Sequence, residues 1–295
     1  MRTIAIHIVT ATLLIGMSVS TARADYTADR QAALAMVAAK QHEQALAAFL
    51  VMGETAQNDY QRSDAFEQAA MCALTLQRLD EALRLADRIP LRPHARTVRM
   101  RLMAEQKQWQ QIVDTFKDVD PSDWPRSAAG EAFYLRGLAY CKLKDLESAR
   151  RDLTAAAQRR LKTDVFFELA GVCMALKRDV DAMDAWLGVQ RTLKDVGGWQ
   201  YYTSITARAG ILLRNGKYNC ALKELDKVNR TSGYWLVKCL KLRGAVLTAM
   251  DRKTEAKAIY EEALKTKGIS DIQKKNIEAA LNNILNPTNS GGIKP

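Results

Sequence analysis

Few residues in this chain have the types and spacing that catalysis needs. Histidine is the side chain that titrates nearest neutral pH, and the sequence has three. His7 lies in an apolar N-terminal stretch, and His42 and His94 are far apart without an HExxH motif, so a zinc enzyme is not indicated. No GxSxG, GxGxxG or GxxxxGKS/T motif occurs. We therefore expect no catalytic residue, no metal and no cofactor.

The cysteines do not form a recognisable framework either. Their number is odd, their spacings are long and no CxxC pair occurs, which argues against a disulfide scaffold and a thiolate metal site. Most lie among apolar neighbours, which favours buried free thiols, with one disulfide or one reactive thiol as the alternatives. The five are Cys72, Cys141, Cys173, Cys220 and Cys239.

The first 24 residues have the pattern of a secretory signal peptide. Arg2 is the positive residue, positions 4–19 are mostly apolar and uncharged, and Ala22-Arg23-Ala24 is a small-x-small cleavage site. An uncleaved membrane anchor and an ordinary buried helix are the alternatives. The pattern predicts a mature chain that starts at Asp25 and is periplasmic or secreted.

The composition is typical of a soluble helical protein. Hydrophobic residues make up 48% and charged residues 26%, while glycine and proline number only 15 and 6, fewer than a turn-rich β protein would carry. Removing Arg2 and Arg23 lowers the formal charge from +11 to +9. A basic chain can bind nucleic acid, but export argues against this, and acidic envelope polymers or an acidic protein suit the charge better. Solubility alone explains a modest net charge equally well.

One sequence phrase recurs along the mature chain. It consists of a short polar turn, an aromatic or aliphatic residue, two polar residues, a small residue and then an apolar residue, as in the stretch from Gly216 to Leu225. Successive small positions are 30 to 38 residues apart, a period that indicates helical hairpins. We assign these positions to Ala45, Ala82, Ile112, Ala149, Met183, Ala221 and Ala256.

The phrase and its period resemble the tetratricopeptide repeat, a unit of two antiparallel helices, over residues 26–266. Tyr140 and Tyr218 match aromatic positions of that family, and His42 occupies one of them in the first repeat, where packing is its expected role. A small residue also recurs in the first helix of a pair, where it would let the two helices approach closely. We assign it to Gly137, Gly171 and Gly244, and in other repeats to Ala33, Ala70 and Ala209.

The resemblance implies an all-α, right-handed superhelical solenoid of about seven repeats, which would occupy residues 25–285. The third repeat is the most divergent, with Met100 and Ile112 at its small positions, and we expect an irregular joint there. An amphipathic helix over 269–285 would cap the last apolar face, with the first helix of an eighth repeat as the alternative. Residues 286–295 are expected to be a disordered tail.

The resemblance further implies a non-catalytic scaffold that binds a protein partner of unknown identity in a concave groove lined by the first helix of each pair. The alternatives are a binder of acidic envelope polymers or of an anionic membrane surface, and a non-catalytic subunit of an envelope enzyme complex. The candidate binding residues are Arg92, His94, Arg96, Arg101, Tyr134, Lys142, Arg214, Lys238 and Lys241.

Two local features add detail to that surface. A basic stretch is either a solvated helix face or a contact for an anionic partner, and it comprises Arg92, His94, Arg96, Arg99 and Arg101. Aromatic residues that open the sixth and seventh repeats either fill the gap between repeats or form a peptide-binding wall. They are Trp199, Tyr201, Tyr202, Tyr234 and Trp235.

The signal peptide gives a direct prediction. We expect the protein produced from the full gene in a Gram-negative bacterium to be recovered with Asp25 as its first residue, because Ala22 and Ala24 satisfy the cleavage site. The measurement is N-terminal sequencing of the protein released from the periplasm. A membrane-bound product that still begins at Met1 would show an uncleaved anchor instead.

Overall fold

The computed structural model of the chain describes residues 25–159, 162–193, 198–228 and 233–285, and the regular elements within these ranges are all α-helices. The predicted signal peptide and the predicted tail lie outside the described residues. Within the same ranges, every helix falls short of the length and apolar character that a membrane span requires.

The helices fall into two compact units, one ending at Pro90 and one beginning at Leu91. The first unit holds two helix pairs: α1 (Tyr26–Ala38), α2 (His42–Thr55), α3 (Asp59–Thr75) and α4 (Leu79–Asp87). The second unit holds five pairs and a last helix: α5 (Arg92–Glu105), α6 (Trp109–Phe116), α7 (Arg126–Lys142), α8 (Leu146–Arg159), α9 (Thr163–Ala175), α10 (Asp179–Leu193), α11 (Trp199–Arg214), α12 (Tyr218–Leu225), α13 (Tyr234–Ala249), α14 (Lys253–Lys265) and α15 (Asp271–Leu285).

The same turn joins the two helices of every described pair. Two residues before the second helix begins, one residue takes a left-handed backbone conformation, and the next N–H donates to a carbonyl five residues back. In the fourth pair, Lys144 has φ 64° and Asp145 N donates to Tyr140 O at 3.0 Å. This is the Schellman motif, which ends one helix and starts the next. The left-handed residues are Lys40, Gln77, Lys107, Lys144, Lys177, Gly216 and Asp251.

The small position lies five residues after each left-handed residue, at the crossing of the two helices. The structure confirms six of the predicted positions, each 0% exposed: Ala45, Ala82, Ile112, Ala149, Ala221 and Ala256. The fifth prediction is wrong by one residue. Counting from Lys177 places Ala182 at the crossing, also 0% exposed, whereas Met183 is only half-buried.

The first helix of that pair shows the same displacement. Ala170 is 0% exposed, whereas Gly171, the predicted position, is exposed, and a Cβ built on it would meet no atom within 4 Å. The other two predicted glycines do permit close approach. A Cβ on Gly137 would lie 2.9 Å from Leu153 Cγ, and one on Gly244 would lie 2.6 Å from a ring carbon of Tyr260.

The third repeat departs from its neighbours at the end of its second helix. Helix α6 has eight residues, and its end is held by Arg136 of α7. The guanidinium Nη1 donates to the carbonyls of Phe116 (2.7 Å) and Val119 (2.6 Å), while its Nε lies 2.6 Å from Asp152 Oδ2 of α8. Arg136 is 8% exposed, so a buried ion pair ties three helices together here.

The C-terminal helix α15 begins at Asp271 and covers the end of the last pair. Ile277 is 0% exposed against α13 and α14, and Leu281 and Ile284 pack partly beside it. Lys274 on the opposite side is exposed. Ile272, near the start of the helix, is 75% exposed and does not contribute to this packing.

Two glycines with open space around them allow the effect of backbone conformation on stability to be measured without a change in packing. Gly216 has φ +70°, and a Cβ on it or on helical Gly171 would meet no atom within 4 Å. We expect Gly216→Ala to lower the free energy of unfolding by about 1–2 kcal/mol, because an L-residue is strained there. Gly171→Ala should raise it by about 0.5–1 kcal/mol, because alanine favours a helix. Urea unfolding measures both changes, and equal signs would contradict this account.

The five cysteines are free thiols, and their burial predicts their reactivity. Burial raises the pKa of Cys141 and Cys239 to about 11, and it also raises the pKa of Cys72 and Cys173. Cys220 is exposed on α12.

We therefore expect iodoacetamide at neutral pH to alkylate Cys220 first in the folded chain, since the other thiols are protonated and shielded. Intact-mass analysis of the protein and of the Cys220→Ser variant measures the order. Rapid labelling of the variant, or a pair of thiols that becomes reactive only after reduction, would contradict the prediction.

Candidate functional site

A groove of about 480 Å³ runs between α11 and α13, and we call it the α11–α13 groove. Its residues on α11 recur at helical spacing, from Thr203 through Gly210 to Arg214, and those on α13 do the same from Lys238 to Ala245. Each helix therefore presents one face to the same space. The volume falls within the range of about 300–1,000 Å³ that is usual for ligand pockets.

The apolar part of the lining is well ordered by its own contacts. Trp186 is 4% exposed, and its indole Nε1–H donates to Met174 Sδ at 3.2 Å. Phe167 meets the ring of Trp186 and the ring of Trp199 edge-to-face, each at a centroid distance of 5.2 Å. The apolar lining is Met174, Trp186, Ala207, Gly210, Leu242 and Ala245.

All charged residues that line the groove are cations: Arg214, Lys238 and Lys241. Arg214 Nη2 lies 2.9 Å from Asp179 Oδ1, so its charge is partly balanced. The Lys238 ammonium lies 4.9 Å from the centroid of the Trp235 ring, a cation–π contact that positions it. Lys241 is exposed and forms no ion pair with any described carboxylate.

Two threonines complete the lining and have already used their donors. Thr203 Oγ1 donates to Trp199 O at 2.7 Å, and Thr206 Oγ1 donates to Tyr202 O at 3.0 Å. A hydroxyl has one donor and two acceptor lone pairs, so the half-buried Thr203 presents an acceptor to the groove, whereas Thr206 is only 6% exposed.

Three of the nine predicted binding residues therefore come together here. The structure does not place the other six in this groove. Arg92 and Lys142 are exposed at the first residue of α5 and the last of α7, and the Arg96 guanidinium lies 5.8 Å from the centroid of the Trp124 ring. His94 is 8% exposed, so its assignment to an open binding surface is corrected: it is an interior residue.

Arg101 and Tyr134 lie beside carboxylates. Arg101 Nε lies 3.0 Å from Glu131 Oε1, with both side chains mostly covered. Burial first, and then the charges of Asp164 and Glu168, raise the pKa of Tyr134 to about 12, so its hydroxyl keeps its proton at neutral pH. Because His94 is buried and Arg101 is paired with Glu131, the basic stretch at the start of α5 does not form one continuous cationic surface.

The aromatic residues of the sixth and seventh repeats both pack and remain accessible. The ring centroids of Tyr202 on α11 and Trp235 on α13 are 6.0 Å apart, so the two rings pack where both helices begin. Tyr201 is buried, whereas Trp199 is 57% and Tyr234 is 55% exposed. Packing between the repeats is thus confirmed for Tyr202 and Trp235, whereas a peptide-binding wall stays a prediction.

Sequence reasoning missed a buried polar cluster that supports one wall of the groove. Glu224 of α12 is 5% exposed and accepts from Gln190 Nε2 at 2.6 Å and from Arg208 Nε at 3.1 Å. Arg208 Nη1 also donates to Met183 O at 2.6 Å, so α10, α11 and α12 are held together. The signal in the sequence was a set of polar residues at positions where the helical period expects apolar ones.

Gly210 was missed as well. The close-packing position of α11 is Ala209, 0% exposed as predicted, so the glycine beside it has no packing role. A Cβ on Gly210 would meet no atom within 4 Å, although Gly210 lines the groove. Its signal in the sequence was a second small residue next to the one that packing requires.

Comparison with known proteins agrees with this fold. The sequence model of the tetratricopeptide repeat-like domain matches residues 189–286, which contain α11–α15 and most of the groove. No curated protein sequence matches the chain significantly.

Solved structures extend the similarity along the chain. The C-terminal part of a tetratricopeptide repeat-containing protein from Cytophaga hutchinsonii is 13% identical, covers 83% of this chain and 98% of its own, and has a TM-score of 0.54. PilF of Pseudomonas aeruginosa is 17% identical over 74% of this chain and 96% of its own, with a TM-score of 0.50. The chain is therefore similar to the tetratricopeptide repeat family in its sequence pattern over residues 189–286 and in its helix-pair fold over most of the described residues.

Proposed function

We propose that the protein is a non-catalytic adaptor of the bacterial cell envelope that holds a segment of a protein partner in the α11–α13 groove. Tetratricopeptide repeat proteins are generally non-catalytic scaffolds for protein–protein interaction. The observation that carries the proposal for this chain is the groove itself, where an apolar lining and three cations meet in about 480 Å³.

The charged interior residues support a binding role over a catalytic one. The buried charged residues Arg136 and Glu224 are each held by partners on other helices, so they tie helices together. His94 is an interior residue, and no group of three or more potential metal ligands occurs in the described ranges. Nothing in these arrangements gives a nucleophile and a base in contact.

The envelope location rests on the N-terminal sequence. Arg2, the apolar stretch over positions 4–19 and Ala22-Arg23-Ala24 support export and release of the chain. A partner would therefore be met in the periplasm or outside the cell.

Two other roles share the same surface and are separable by salt. A binder of acidic envelope polymers or of an anionic membrane depends on charge, whereas a protein segment also buries apolar side chains. Association with an envelope enzyme as its non-catalytic subunit is a special case of the adaptor role.

The test is crosslinking and capture from an envelope extract with the mature chain from Asp25. We expect a protein partner to remain bound at about 1 M salt, where the Debye length is about 3 Å and surface charges are screened. The Lys238→Glu/Lys241→Glu double variant should lose most of that partner.

The Lys274→Glu/Lys275→Glu variant is the matched control, because it makes the same charge change on exposed positions of α15. Equal capture by both variants would place the binding site elsewhere. Complete release of all material at high salt, with polysaccharide or lipid in the eluate, would replace the adaptor by a polyanion binder.

A further inference from the structure

We infer that the occupant of the α11–α13 groove is an extended, acidic segment of a partner, in which a large apolar side chain enters beside Gly210 and flanking carboxylates pair with Lys238 and Lys241. This inference rests on the proposed function and specifies the chemistry of the partner. Three features of the lining carry it: its charge, its unfilled glycine and its hydrogen-bond acceptors.

The charge of the lining favours carboxylates. Every charged side chain that lines the groove is a cation, and Arg214 is the one already paired, with Asp179. Lys238 is held over the ring of Trp235, and Lys241 forms no ion pair with a described carboxylate, so two ammonium groups remain for a ligand. The charged residues of the lining would repel a basic segment, so the groove favours a segment that carries negative charge.

Gly210 marks where the apolar side chain enters. A glycine within a helix destabilises the helix relative to alanine. Packing within the chain does not require Gly210, since an added Cβ would meet no atom within 4 Å. The missing side chain leaves space over the helix for a group from outside, in a groove that Met174 and Leu242 also line.

The threonines favour a peptide in extended form. Thr203 and Thr206 donate their hydroxyl protons to carbonyls of α11, so in this arrangement the half-buried Thr203 offers a ligand an acceptor, while Thr206 is 6% exposed. An extended peptide offers free N–H donors, a helical segment has used most of its own, and an acyl chain has none. Thr203 to Arg214 spans about 16 Å along the helix axis, which matches about five extended residues.

The experiment selects displayed random peptides of about seven residues on the mature chain and then measures the affinity of the selected peptides by fluorescence anisotropy. We expect enrichment of Asp and Glu around a single Leu, Phe or Met. Gly210→Met, which fills the space, should weaken binding about tenfold or more, and Lys241→Glu should weaken it about fivefold.

Matched variants separate the groove from general effects. Gly171→Met adds the same side chain at another open helical glycine that does not line the groove, and Lys275→Glu reverses an exposed charge on α15. Both should leave the affinity within about twofold, and unfolding midpoints confirm that all four variants are folded.

The outcomes distinguish this inference from the proposed function. Groove-dependent peptides that are neutral or basic would overturn the acidic segment and leave the adaptor role standing. If no groove-dependent peptide is selected, the inference fails. If phosphatidylglycerol vesicles then bind the unaltered chain but not the Lys238→Glu/Lys241→Glu variant, the proposed adaptor role fails as well. An anionic lipid then takes the place of the peptide.

Discussion

The fold depends on the close crossing of the two helices in each pair. The side chain at the crossing must fit between the two helices. The left-handed residue in each turn sets the direction of the second helix, and five residues later a fully buried residue meets the first. Ala149 and Ala256 fill this place in the fourth and seventh pairs, and four residues further on Leu153 and Tyr260 lie against Gly137 and Gly244. No pair can bury its apolar face alone, so each needs the next one in its unit.

The same constraint determines which residues are free to serve binding. Stacking occupies one side of each first helix, where α11 places Ala209 at 0% exposure. The adjacent side, with Thr206 and Gly210, is not fixed by that contact. Packing within the chain therefore does not explain which residues occur on that side. Gly210 is the clearest example, because a glycine lowers the stability of the helix and no contact in the chain requires it here.

The sequence predicted the features that recur in every repeat. It did not predict contacts between residues that are far apart in the chain. Its repeat pattern found the crossings in six pairs and slipped by one in the fifth, because Met183 and Gly171 stand next to the alanines that the structure buries. It could not predict that Glu224 binds Gln190, 34 residues away. Likewise, Lys238 and Lys241 followed from helix register, whereas the burial of His94 depends on tertiary packing.

The two kinds of lining contribute differently to recognition. Exposed ion pairs contribute about 0–1 kcal/mol each and weaken as salt rises, so in the proposed complex Lys238 and Lys241 would mainly favour acidic segments and speed their encounter. Each buried methylene contributes about 0.8 kcal/mol, so the space at Gly210 can supply more affinity than the charges. A partner selected by charge but retained by an apolar side chain would therefore stay bound in salt that abolishes purely electrostatic complexes, because burial of apolar surface is not screened.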